Sequence, residues 1–558
     1  MANSVIAIGL DAAEPKLVEK WMAQGHLPNL AKLRQEGAYG RLKSVARYRA
    51  ETAWPTFLTG CSSRKASYWG PVKLREGTYH VDGVGAYQFD EYKPFYALGV
   101  DQPQKVAIFD MPQTRLSDEV NGVQVIGWGS HSTQVESGSQ PATLLDELTE
   151  KHGVHPAFGH DHTNIYGRKK VEHLFQNLKE GIRRRSKICQ DLIQREDWGL
   201  FLTMFGEAHS AGHYMLHMHE ADHPAHYSQA GECDRLLDAF KEMDKAVGEM
   251  VAAAPDNASI VVFSAHGMQA NNLDLPSTFF LPEMLYRWNF PGETAFAASP
   301  AKGQPGEVPL WRCQRRPYRD LWAQKADRNP LTRFLRTVTP TKVHRIYAKL
   351  LERFGLGQGG KFVSPYTLQN QKAGFPCQVA SWLSPSWSKM KAFALPSFSE
   401  GYVRINLQGR EPNGLVSPSE YEAVCDEVIE QIKAMRNART GEPLMKEVIR
   451  TRTLDTLYDE GLPDADIIVM WNDTDTPSDC VESPMMGRIG PVPFQRSGGH
   501  NSDGFVIMKG DRIEPNSEMP EQQSMDLPPT LLDLMGADCP DYFDGTSMLE
   551  KERDLVSV

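Results

Sequence analysis

Asp11 stands directly after VIAIGL, a short apolar and β-branched run. A carboxylate at the end of a buried strand can serve a metal, or simply cap a turn. Further along, GEAHSAGHYMLH carries Glu207, His209 and His213. Two histidines four residues apart share one face of a helix, a spacing that suits a divalent metal. His266 follows the run SIVVF, and glycines frame His500 in RSGGHNSDGFVIMKG ahead of another apolar run. A glycine-flanked histidine entering a strand points to function more than to packing. His217, His219, His223 and His226 extend the histidine tract and read as a solvated segment.

The elements that must position these groups follow from hydrophobic periodicity. Strands are expected at Val5–Leu10, 104–109, 123–127, 200–205 and 259–263. Helical spacing covers 16–35, broken near Gly25 and Pro28, and then 142–151, 170–195 and 229–254. Strands alternating with long helices predict an α/β fold with a mainly parallel sheet sandwiched by helices. In such sheets chemistry gathers beyond the carboxyl ends of the strands, where Asp11, Glu207 and His266 fall. Residues 283–400 are rich in Pro, Arg, Trp and other aromatics and read as an inserted cap. Residues 1–282 and 401–558 then form the two parts of the core. A helix at 417–436, a buried strand at 465–471, a strand at 504–509 and a helix near 529–535 complete the chain.

The chain has 558 residues and a formal charge of −11. A surface that acidic repels nucleic-acid backbones but leaves room for a local site that takes a small anion. The N-terminus has no basic flank and apolar core of a secretory signal, and no run of about 18 apolar residues could span a bilayer. The eight cysteines form no CxxC pair, so free thiols in a cytoplasmic protein are expected.

Taken in order, several segments resemble the alkaline phosphatase superfamily, and within it the type I phosphodiesterase/nucleotide pyrophosphatase-like branch. They are VIAIGLD, AETAWPTFLTG at 50–60, EAHSAGH at 207–213, VVFSAHGM at 261–268, INLQGREPNGLV at 405–416, GGH at 498–500 and DLPPTLLDLMG…DYFDG at 526–545. The resemblance implies an alkaline-phosphatase-like fold and two divalent metals, usually zinc, flanking a Thr or Ser nucleophile. Mapped onto this chain, Asp11 and His266 fall on one metal site, and His209, His213 and His500 on the other. Thr52 is the preferred nucleophile and a metal ligand, ahead of Ser44 and Thr56. Arg47 and Arg49, just upstream, would grip an oxyanion or form a basic turn.

The chain departs from the family pattern at three places. Ala265 stands where SDHG has its Asp, His209 stands where DxxxH has its Asp, and an ungapped match puts Ala50 at the nucleophile. Glu51 or Glu207 could replace a lost carboxylate or act as acid or base. The run CSSRK after Thr59-Gly60 lacks the Pro of a sulfatase CxPSR. The leading expectation is a metal-dependent hydrolase of phosphate mono- or diesters or related anionic esters, attacked by Thr52 or by a metal-held hydroxide. A second reading keeps the fold with Mn, Fe or Ni and a different reaction, such as a lyase. A third is a non-catalytic relative that acts as a binding protein. Oligomeric state is left open.

Overall fold

The structure, a computed structural model, describes residues 4–44, 52–129, 135–163, 165–223, 225–226, 234–296, 322, 331, 334, 338–354, 361–472 and 478–549. Its centre is a nine-stranded sheet. The order is Ser517–Gln523, Ala38–Lys43, Asp503–Lys509, Ser259–Ser264, Val5–Leu10, Leu200–Phe205, Val106–Phe109, Gly122–Ile126 and Gly138–Gln140. The strands from Ser259–Ser264 to Gly122–Ile126 pair in parallel throughout. Asp503–Lys509 runs antiparallel to both of its neighbours, and Gly138–Gln140 antiparallel to its one.

The middle strands are apolar on both faces because both faces are covered. In Val5–Leu10, Val5 and Ala7 enter one core, while Ile6, Ile8 and Leu10 enter the other. The second of these cores is built with the helices Pro15–Ala23, Pro28–Glu36, Arg168–Ile193, Gly206–His219 and Arg235–Ala253. The expected break in the first helical stretch is there: Gly25 has φ +76°, a left-handed turn that favours glycine. The fold is therefore the mainly parallel α/β architecture expected from the pattern.

A separate four-stranded sheet, ordered Ala392–Leu395, Gly401–Ile405, Ile467–Trp471 and Met445–Arg450, is antiparallel. The boundary expected at 400/401 falls inside its first hairpin. The buried run ending at Trp471 belongs to this second sheet rather than to the large one. Finally, Gly267–Ala270 and Gly498–Asn501 form a two-stranded antiparallel ribbon beyond the carboxyl edge of the large sheet, with Met268 opposite His500.

Candidate metal centre

The strands Ser259–Ser264, Val5–Leu10 and Leu200–Phe205 are neighbours, and His266, Asp11 and the Gly206–His219 helix leave their carboxyl ends side by side. That helix carries His209 and His213 one turn apart on one face, and the ribbon brings in His500. The three Nε2 atoms form a near-equilateral triangle: 3.1 Å from His209 to His213, 3.0 Å from His209 to His500 and 3.1 Å from His213 to His500. His209 and His213 are buried and His500 is partly so.

Three mutually close imidazole nitrogens cannot all be satisfied by hydrogen bonds to one another. A nitrogen that donates carries no lone pair to accept, so at least one edge of the triangle sets like against like. A cation resolves the conflict. Tetrahedral zinc with Zn–N near 2.0–2.1 Å separates its ligand nitrogens by about 3.3 Å. The His213 tautomer is fixed, because its Nδ1 donates to the Gly498 carbonyl at 2.7 Å, which leaves the ring's lone pair on Nε2.

Beside the triangle, His266 Nε2 lies 3.3 Å from Asp11 Oδ1, and the His266 and His500 ring centroids are 5.0 Å apart. Asp11 is fully buried, and among the described residues neither of its carboxylate oxygens has a hydrogen-bond partner. The same holds for His266 Nδ1 and the buried Thr52 hydroxyl. Buried polar groups are almost always paired, so the Asp11 and His266 pair also suits a cation. Thr52 begins the Ala53–Thr59 helix, and Trp54 in its first turn packs edge-on to His266 at 5.7 Å.

Glu207 is not brought to the triangle. Its carboxylate takes Arg185 Nε at 3.1 Å and His155 Nε2 at 3.0 Å, with all three side chains fully buried. Burial would raise its acid, but the Arg185 and His155 contacts outweigh that and hold it down at about 2. Arg185 also bonds Asp110 at 2.7 Å, so Glu207 anchors the start of the histidine helix to the neighbouring strand end. Ala265 is buried in the apolar core and supplies no ligand. Arg47, Arg49 and Glu51 lie outside the described residues.

Two of the four histidines expected to be solvated, His217 and His223, are buried instead, and His219 and His226 are partly buried. His217 is fully covered and His223 nearly so, and His223 Nε2 donates to the Ser497 carbonyl at 3.1 Å. Burial pushes His217 down to about 3 and His223 to about 4, so both stay neutral. Cys61 is also buried, its thiol pushed up to about 11 by burial, and no described Cys forms a disulfide.

Arg496 is a group that sequence reasoning missed. Its Nη1 lies 2.7 Å from His213 Nε2. Its other nitrogens pair with the two carboxylate oxygens of Asp274, at 2.5 and 2.9 Å. Asn271 Nδ2 donates to Asp274 at 2.8 Å, and the guanidinium lies 4.9 Å over the Phe398 ring. The available signal was its place four residues before His500 in RSGGH.

Residues 100–321 match the family model described as type I phosphodiesterase / nucleotide pyrophosphatase, which bears out the resemblance read from the motifs. No curated protein matches the chain. Among solved structures, phosphonoacetate hydrolase from Sinorhizobium meliloti 1021 in complex with phosphonoformate aligns at 12% identity and a TM-score of 0.46, covering 96% of each chain. The same protein in complex with phosphonoacetate aligns at 13% identity and a TM-score of 0.46, again over 96% of each chain.

Proposed function

We propose that this protein is a metal-dependent hydrolase of phosphate esters or closely related anionic esters. The observation that carries the reading is the 3.0–3.1 Å triangle of imidazole nitrogens beside the Asp11–His266 pair. The match to a phosphodiesterase family over residues 100–321 supports the substrate class.

In this reading His209, His213 and His500 hold one divalent ion through Nε2, and Asp11 with His266 hold a second. Bound there, such ions supply Lewis acidity, which lowers the pKa of a hydroxyl or water and offsets charge on phosphoryl oxygens. The chain's own groups do the rest. The Thr52 hydroxyl is the attacking oxygen, and water takes that part if Thr52 is dispensable. With the His213 Nε2 lone pair committed to a metal, Arg496 Nη1 would be available to grip an anionic oxygen of the ester. Asp274 keeps that guanidinium in place with a two-point contact. Arg47 and Arg49 are further candidates for the same anion, and Glu51 for the missing carboxylate ligand.

The donor set favours zinc but is rich in neutral imidazole, which also accepts Mn, Fe or Ni. A site with fewer carboxylates than its relatives could therefore run a different reaction on the same fold. One experiment separates the readings: metal analysis and anomalous scattering on protein purified without added metal, with turnover measured on mono- and diesters. The expected result is at least one stoichiometric zinc at the three histidines, and ester hydrolysis lost in His500→Ala. A stoichiometric metal other than zinc without ester turnover favours the altered chemistry. No metal and no turnover leaves a binding protein.

A further inference from the structure

The strongest unexplained surface lies far along the sequence from the histidine triangle, on the helix Thr341–Arg353. One face of this helix is docked. His344 stacks on Tyr366 with centroids 4.8 Å apart, Ala348 is buried, and Arg345 Nε donates to Asn370 at 3.2 Å. A second face carries Val343, Ile346, Tyr347 and Leu350, continued by Phe354, at spacings of three and four that align them in one stripe. All five are exposed: 49%, 60%, 53%, 47% and 71%. Lys342, Lys349 and Arg353 form a parallel stripe about a quarter-turn away.

Charge identifies what this face is built to meet. Thr341–Arg353 carries Lys342, Arg345, Lys349 and Arg353 against Glu352 alone, a net of +3 in a chain whose total is −11. Two copies packed through this stripe would bring like charges together. A surface that is apolar within and negative above complements both stripes at once, and an anionic lipid bilayer is such a surface. No helix among the described residues is long and apolar enough to cross a membrane, so the contact would lie in the interface plane.

We propose that the Thr341–Arg353 helix docks this protein on anionic membrane surfaces, with Val343, Ile346, Tyr347, Leu350 and Phe354 seated among the acyl chains. Lys342, Lys349 and Arg353 reach the headgroup phosphates. The proposal is independent of the reaction assigned to the histidine site.

The test is flotation of the full chain with vesicles of phosphatidylcholine alone or mixed with phosphatidylglycerol, at low and high salt. The wild type should float with the mixed vesicles at low salt, and not with phosphatidylcholine alone. The double variant Ile346→Glu/Leu350→Glu should not float. Because each basic residue near a negative surface contributes about fivefold, Lys342→Gln/Lys349→Gln/Arg353→Gln should weaken binding by roughly a hundredfold. Both variants alter exposed positions, and circular dichroism with unchanged metal content verifies their folding. Absence of binding to mixed vesicles at low salt overturns the proposal, as does equal binding to neutral vesicles. A wild-type dimer in sedimentation velocity that Ile346→Glu/Leu350→Glu dissolves, with no vesicle binding, overturns it in favour of self-association.

Discussion

His213 is held from both ends: its Nδ1 donates to the Gly498 carbonyl, and its Nε2 accepts from Arg496. The first contact fixes the tautomer that a metal needs. The second places a permanent cation one hydrogen bond from His213 Nε2. If Arg496 grips substrate, removing it strikes turnover and not metal binding. Arg496→Met should lower kcat/KM by roughly ten- to hundredfold, since a hydrogen bond to a charged group is worth about 1.5–3 kcal/mol. Metal content should stay unchanged, and Arg496→Lys should recover only part, because it cannot keep both Asp274 contacts. Parallel loss of metal and activity would make Arg496 a prop for His213 instead. The three histidines of the triangle were legible in the sequence because one pair sits at i, i+4 and the third is framed by glycines. Arg496 was not, since its partner Asp274 lies 222 positions away and a lone arginine in a loop has no period. His217 and His223 were misread for the same reason. What buries and pairs them arrives from distant chain, such as the Ser497 carbonyl.

The Gly206–His219 helix and the Gly498–Asn501 strand must approach closely for His500 to meet His209 and His213, and the glycines show how closely. A Cβ on Gly498 would stand 2.4 Å from the Gly212 carbonyl oxygen, which is backbone and cannot swing away. A Cβ on Gly499 would meet Asn271 Oδ1 at 3.0 Å and its backbone Cα at 3.3 Å, a milder approach although Asn271 is tied by hydrogen bonds to Asp274. Gly498→Ala should therefore push strand from helix, destabilise the fold by about 1–3 kcal/mol and weaken metal affinity at least tenfold. Gly499→Ala should weaken metal affinity less than Gly498→Ala does. Isothermal titration of metal-free protein with zinc measures both, and equal affinities would show that the spacing tolerates a methyl group. At this scale the long helices and the buried strands were readable from their periods, usually within a few residues. Strand direction was not, because an apolar run such as that in Asp503–Lys509 looks the same parallel or antiparallel. Gly138–Gln140, three residues long with no apolar side chain, offered no period at all. The helix also shows why spacing alone overreached with Glu207. Two residues before His209 on a 100° wheel lies another face, and that face is spoken for by Arg185 and His155.

Across the whole molecule, the candidate centre draws its imidazoles from positions separated by up to 291 residues. The order of motifs along the chain revealed the large sheet and the convergence of its strand ends. It did not reveal the second sheet, whose strands come from both sides of the expected boundary at 400/401 and carry none of those motifs' chemistry. The long separation has a thermodynamic consequence. A metal bound at the triangle joins the Gly206–His219 helix to the Gly498–Asn501 ribbon, and the unfolded chain cannot offer three prearranged nitrogens. Binding that favours the folded state adds RT ln(1 + [L]/Kd), about 4 kcal/mol when free metal exceeds Kd a thousandfold. Stripping the metal with a chelator should therefore lower Tm by several degrees, and stoichiometric zinc should restore it. His500→Ala leaves two imidazoles and an open edge, so its Tm should start lower and respond little to chelator or zinc. Differential scanning calorimetry of both proteins, with and without chelator, reads this directly. Equal chelator shifts in wild type and His500→Ala would place the stabilising metal elsewhere, and no shift in either would leave the triangle without a stabilising ion.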